Sequence, residues 1–116
     1  MFFVLAPSQS PGLVAVYNFS SSILIVKWSH LPEEHFHGPP IGYIVTYYAV
    51  DLEGDIKFVK VNFTTSTTTL TNLTVYTMYV INVSAVSSGG IGPANTIKAR
   101  TGAEGTGGLS FLRYSF

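Results

Sequence analysis

Apolar and polar residues alternate along most of this chain, and nowhere do apolar positions recur with the 3.6-residue period of a helix. Leu24, Val26 and Trp28 share one side of a run from Ile23 to Trp28. Tyr43, Val45 and Tyr47 share one side of the next. Ile44, Thr46 and Tyr48 take the other, because successive side chains of a strand point to opposite faces. Ile81, Val83 and Ala85 mark a third run over Tyr79–Val86. Further strands are predicted from near Leu13, over Ile56–Phe63, over Thr67–Thr71 and over Thr96–Thr101. Between them lie turn and loop signals: Ser29–Gly42 with its three prolines, Glu53-Gly54-Asp55, and Ser87-Ser88-Gly89-Gly90. Short strands at this spacing, without helices, predict an all-β fold of two packed sheets.

Leu73-Thr74-Val75-Tyr76-Thr77-Met78-Tyr79 adds a local device. A tyrosine at the start of a strand can bury its ring and turn its hydroxyl back to the backbone of the preceding loop. The predicted core is therefore Leu24, Val26, Trp28, Tyr43, Val45, Leu73, Tyr79, Ile81 and Val83. Residues 1–10 read as a linker, because Ala6–Pro11 holds two prolines and two serines. The domain proper spans 11–101. Residues 102–116 read as a Gly-rich linker and an apolar tail, Leu109–Phe116, for which the pattern offers no partner.

Several segments in this order and spacing resemble a fibronectin type III domain. They are Pro11-Gly12-Leu13, Leu24-x-Val26-x-Trp28, Gly38-Pro39-Pro40-Ile41-Gly42-Tyr43-x-Val45, Leu73 to Tyr79, Gly92-Pro93 and Arg100-Thr101. The resemblance covers about Pro11 to Thr101. It implies a seven-stranded immunoglobulin-like β-sandwich with its termini at opposite ends. It also implies an extracellular module, usually one of several in tandem, that serves as a spacer or binding unit in adhesion proteins, receptors and matrix. Some family signatures are missing. The loop before the last strand, Ser87 to Pro93, lacks the Arg-Gly-Asp of integrin-binding members. The paired cysteines and Trp-Ser-x-Trp-Ser of cytokine receptors are absent too, and Val75 stands where many members have proline.

Composition narrows the picture further. With 116 residues the chain makes about one domain, large enough to fold around a core without metals or disulfides. It has no cysteine, which disfavours an antibody-type domain pinned by a Cys pair. Six Lys/Arg against six Asp/Glu give no net charge, so there is no basic field to gather nucleic acid or an anionic membrane surface. Charged residues make up only 10% of the chain, which leaves serine and threonine to wet the surface. No apolar run approaches the roughly 18 residues that span a bilayer. Met1–Ala6 lacks a basic leader and is shorter than a signal core of at least about 7 apolar residues. A secreted domain would thus take its targeting signal from outside this chain.

Four of the five asparagines stand in Asn-x-Ser/Thr: Asn18, Asn62, Asn72 and Asn82. With Ser and Thr at 24 of 116 residues, chance would place about one such triplet. The excess predicts glycosylation and hence an extracellular setting. Asn82, between inward-facing Ile81 and Val83, is expected on the outer sheet face with Thr46 and Tyr48, where a glycan would block flat contacts and leave binding to the loop ends. Glu33-Glu34-His35-Phe36-His37 holds metal-ligand residue types, but without a third fixed ligand it reads as a solvated loop with one hydrophobic tip. Thr64–Thr71 reads as strand rather than as an O-glycosylated patch.

No nucleophile elbow, paired acids or phosphate-cradling glycine loop is present, so an enzyme and a cofactor are not expected. The expected role is a structural spacer and adhesion or protein-interaction module in a multidomain cell-surface or matrix protein. Its partners would be neighbouring domains of the same chain and another cell-surface or matrix protein, with no nucleic acid and no direct membrane contact. An alternative is a receptor module that binds a ligand through the two loops carrying His35, Phe36, His37 and Ile91, with Phe36 and Ile91 as apolar anchors. An accessory domain of an extracellular enzyme or receptor phosphatase is the other.

Overall fold

Strand-forming runs bounded by turn residues appear in the computed structural model much where the alternation places them. The structure describes residues 5–52, 54–102 and 107–115, the last stretch as backbone. Eight strands follow one another: β1 (Val14–Ser20), β2 (Ile23–Lys27), β3 (Pro40–Ala49), β4 (Lys57–Asn62), β5 (Thr67–Leu70), β6 (Met78–Ser87), β7 (Gly90–Arg100) and β8 (Gly107–Ser115). They form two four-stranded antiparallel sheets, ordered β5-β2-β1-β8 and β4-β3-β6-β7. The first seven make the expected seven-stranded immunoglobulin-like sandwich.

The inner faces supply the core. Val14 and Val16 of β1, Leu24 and Val26 of β2 and Leu70 of β5 meet Tyr43, Val45, Tyr47, Ile81, Val83, Ala85, Ile97 and Ala99 of the facing sheet. Each is removed from water by strand alternation. All nine predicted core residues are buried. The surface economises on charge by laying cations over aromatics: Lys27 over half-buried Tyr17, Lys60 over exposed Phe58 and Arg100 over exposed Tyr76, at 5.5–5.7 Å from the ring centres.

Three departures from the pattern have physical causes. β7 begins at Gly90, six residues before the expected Thr96, despite Pro93. It is an edge strand with an irregularity opposite Ser84–Val86, where a residue without an N–H is tolerated. Second, the apolar tail does find a partner. Gly107–Ser115 pairs with β1, from Ser20↔Gly107 to Val14↔Ser115, and covers an edge that would otherwise present unpaired backbone groups. That corrects the expectation of linker and unpartnered tail over Gly107–Ser115; residues 103–106 and 116 lie outside the described residues. Third, Leu5–Pro11 is hydrogen-bonded to the domain, as set out below.

Candidate functional site

The long connection between β2 and β3 is built around a one-turn 3₁₀ helix, Glu33–His35, closed by His35 N–H to the Pro32 carbonyl and Phe36 N–H to the Glu33 carbonyl, both at 3.0 Å. That turn lifts Glu33 and Glu34 into solvent and swings Phe36 beneath, where its ring is 2% exposed. Phe36 meets Tyr43 edge-on, with centroids 6.1 Å apart, and Trp28 lies tilted against the same ring at 5.5 Å. The Tyr43 hydroxyl accepts the Leu31 N–H at 2.9 Å. Burial pushes the Tyr43 phenol pKa up and this hydrogen bond offsets it only in part, so the group stays a neutral hydroxyl. Phe36 is thus a core residue and not the exposed anchor expected from its charged neighbours. An aromatic next to a packed Tyr and Trp gains more from burial than from solvent.

The same end of the sandwich is already occupied by the chain's own N-terminal segment. Leu5 N–H donates to the His37 carbonyl at 3.3 Å and Ser8 N–H to the His35 carbonyl at 3.0 Å. The Ser8 hydroxyl and His37 Nε2 are 2.8 Å apart. On the other side, the Ser87 hydroxyl donates to the Leu5 carbonyl at 2.9 Å and Asn95 Nδ2 to the Pro11 carbonyl at 2.9 Å. Pro7 is buried against Gly92, where an added Cβ would come within 2.7 Å of the proline ring. Residues 5–11 therefore form a strap across both loops, a correction to their reading as linker. The β6–β7 turn itself is tight, with Ser88 and Gly89 between paired Ser87 and Gly90, and Gly90 takes a φ of 133° that favours glycine. Of the proposed anchors only Ile91 remains in solvent, at 58% exposure. Among the described residues no three His, Asp or Glu side chains gather at one point.

Beside Ile91 the outer face of the second sheet carries a groove of about 260 Å³, lined by Ile41, Gly42, Ile44, Lys60, Val86 and Ile91. Gly42 pairs with Asn62 on β4 and with Val86 on β6, so Asn62 stands at the rim of this groove. Ile41, Ile44, Val86 and Ile91 are exposed or half-exposed apolar side chains drawn from three strands.

The four sequon asparagines are placed very differently. Asn62 is exposed, and its Oδ1 accepts both the N–H and the hydroxyl of Thr64, at 2.9 and 3.0 Å. Asn72 is exposed in the loop before β6, in the left-handed region at φ 57°, which asparagine tolerates well. Asn82 does face outward, but it is half-buried between Thr46 and Thr96, and its Oδ1 accepts the Thr96 hydroxyl at 2.5 Å. Asn18 is half-buried in β1; with its amide turned to satisfy its neighbours, Nδ2 donates to the Ser20 carbonyl and Oδ1 accepts the Gly102 N–H. Its amide nitrogen is thus committed within the fold.

At the opposite end, Leu73 is buried and the Tyr79 hydroxyl accepts the Thr74 N–H at 2.8 Å. This is the predicted tyrosine corner. Thr101 fastens the end of the domain to the same loop: its hydroxyl donates to the Thr74 carbonyl at 2.7 Å and accepts the Thr77 N–H at 2.9 Å. Tyr79→Phe removes one acceptor at a partly buried site and is expected to cost about 1 kcal/mol. Urea denaturation would show a lower midpoint at unchanged slope, with faster exchange of the Thr74 amide. An unchanged midpoint would mean that the corner hydrogen bond contributes nothing to stability.

Comparison with known proteins agrees with this geometry. The family model of the fibronectin type III domain matches residues 7–100. The structure of chicken CNTN1 FN1–FN3 domains is 36% identical over 83% of this chain, with a TM-score of 0.75; the match spans 31% of that chain. The fibronectin type III domain of human collagen alpha-1(XX) is 26% identical over 86% of this chain and 90% of its own, with a TM-score of 0.73. The third fibronectin III domain of human KIAA0343 protein shares the fold, with a TM-score of 0.79 at 24% identity over 92% of this chain and 91% of its own. No curated protein matched the chain. A tyrosine corner, a Trp–Tyr core and a family match across nearly all of the sandwich give one conclusion: the chain belongs to the fibronectin type III family.

Proposed function

We propose that this domain is an extracellular structural and adhesion module, one unit of a multidomain cell-surface or matrix protein. Fibronectin type III domains are common in extracellular and adhesion proteins and generally serve as non-enzymatic spacers or binding units. Among the described residues no helix is long and apolar enough to cross a membrane.

The observation that carries the reading is the fastening of the family segment at both ends. Residues 5–11 are bonded across the loops at one end, and Thr101 is clasped to the tyrosine-corner loop at the other. Between them lie the ten residues of β6, or about 30 Å of strand. A sandwich held so at both ends transmits orientation as well as distance. β8 then doubles back, so a segment following it would leave beside Val14 and turn, instead of extending, the array.

The experiment is secretion of the chain behind an added leader from eukaryotic cells, with glycopeptide mapping and thermal melting. The expected product is secreted and cooperatively folded, with glycans at exposed positions and Asn18 unmodified. Intracellular retention, or an occupied Asn18 on a misfolded chain, would overturn the extracellular reading. The receptor-module alternative now rests on His35, His37 and Ile91 without Phe36. Its test is Ile91→Ser, which leaves the core untouched; Phe36→Ser would unfold the loop and could not separate binding from folding.

A further inference from the structure

We propose that Asn62 carries an N-linked glycan whose first sugar lies over the apolar groove beside it, so that the modification completes the outer face of the second sheet. The proposal rests on the extracellular reading and deepens it.

Three observations converge on this site. Asn62 is exposed at the end of edge strand β4, and Thr64 holds its Oδ1 through two hydrogen bonds. That Asx turn fixes the carboxamide and turns Nδ2, the atom that would bear the sugar, away from the turn. Next, the pairing of Gly42 with Asn62 puts the attachment point in register with the groove floor. Last, the groove is apolar, with Lys60 as its one charged lining residue.

Size and chemistry then choose the occupant. With eight lining residues the groove is small beside a protein interface, which engages roughly 20–30 residues a side. A sugar ring offers a C–H face to Ile44, Val86 and Ile91, and hydroxyls to Lys60 and water at its rim. An uncovered patch that includes Ile41 at 55% and Ile91 at 58% exposure, beside an unpaired strand edge, would invite association. A glycan stem covers both.

The test uses the secreted chain. Glycopeptide mapping is expected to find Asn62 occupied. The glycans are then trimmed to the single proximal N-acetylglucosamine, and the methyl groups of Ile44, Val86 and Ile91 are observed by NMR. Cross-peaks from these methyls to sugar protons are expected, and their loss on complete deglycosylation, with a rise in binding of an apolar dye. Asn62→Gln, which removes the attachment point and leaves the Asn72 sequon intact, should show the bare-groove behaviour in a chain that still melts cooperatively. Occupied Asn72 beside unmodified Asn62 would overturn the proposal and leave the extracellular reading standing. So would an occupied Asn62 with no sugar contact to the groove. Failure of the chain to enter the secretory route would sink both.

Discussion

Trp28→Ala is expected to unfold the isolated domain at ambient temperature or bring it to the edge of unfolding. The indole is 5% exposed, at the point where β2 gives way to the loop that carries Phe36, and it lies 5.5 Å from the ring of Tyr43. Removing it leaves a void beneath two further aromatics, at about 3–5 kcal/mol. A domain of this size has about 5–15 kcal/mol in total. The loss should also loosen the loop, because Tyr43, against which the indole packs, holds Leu31 through its hydroxyl.

Trp28→Phe provides a sharper control. Among the described residues the indole Nε1 is buried without a hydrogen-bond partner, a state that costs about 1–3 kcal/mol. Phenylalanine gives up volume but removes that orphan donor, so its loss should be well below that of alanine. Urea midpoints for the two variants would decide it. Equal destabilisation would mean that volume alone matters here; an unchanged midpoint for Trp28→Ala would remove Trp28 from the core.

How much of this was legible follows from what alternation can and cannot encode. Leu24, Val26, Tyr43, Val45, Ile81 and Val83 were readable because strand period decides inside from outside one residue at a time. Tyr79 was readable because the corner needs a tyrosine at a strand start, a local arrangement. Phe36 was not, since Glu33, Glu34, His35 and His37 make its surroundings polar in sequence while Tyr43 and Trp28 make them apolar in space. The strap and β8 escaped for a related reason. Composition marks Ala6–Pro11 and Gly102–Gly108 as linkers, and cannot show which loops or edges the segments around them meet. Among the sequons, alternation put Asn82 outward correctly, yet could not show that Asn62 pairs with the Gly42 that lines an apolar groove. The chemistry of the candidate face thus lies in pairing, which one-dimensional period leaves open.

Gly42 carries that lesson into a second large effect. An isolated glycine inside a strand pattern signals close approach of another backbone, and here the approach is extreme. A Cβ at Gly42 would lie 1.9 Å from the Val61 carbonyl oxygen, 3.0 Å from its carbon and 3.3 Å from the carbonyl carbon of Asn62. All three atoms belong to the backbone of β4, so no rotamer change relieves the clash. Gly42→Ala must push β4 away from β3 and break the pairing at Asn62, at about 3 kcal/mol. Gly12→Ala is the matched control, because an added Cβ there meets nothing within 4 Å and should leave stability nearly unchanged. Hydrogen exchange should show the amides of Lys57–Asn62 opening first in Gly42→Ala, ahead of the β3–β6 pairing. Uniform loss across both sheets would mean that β4 is integral to the cooperative core. Opening confined to β4 would identify the groove and its asparagine as an independently adjustable margin of the sandwich.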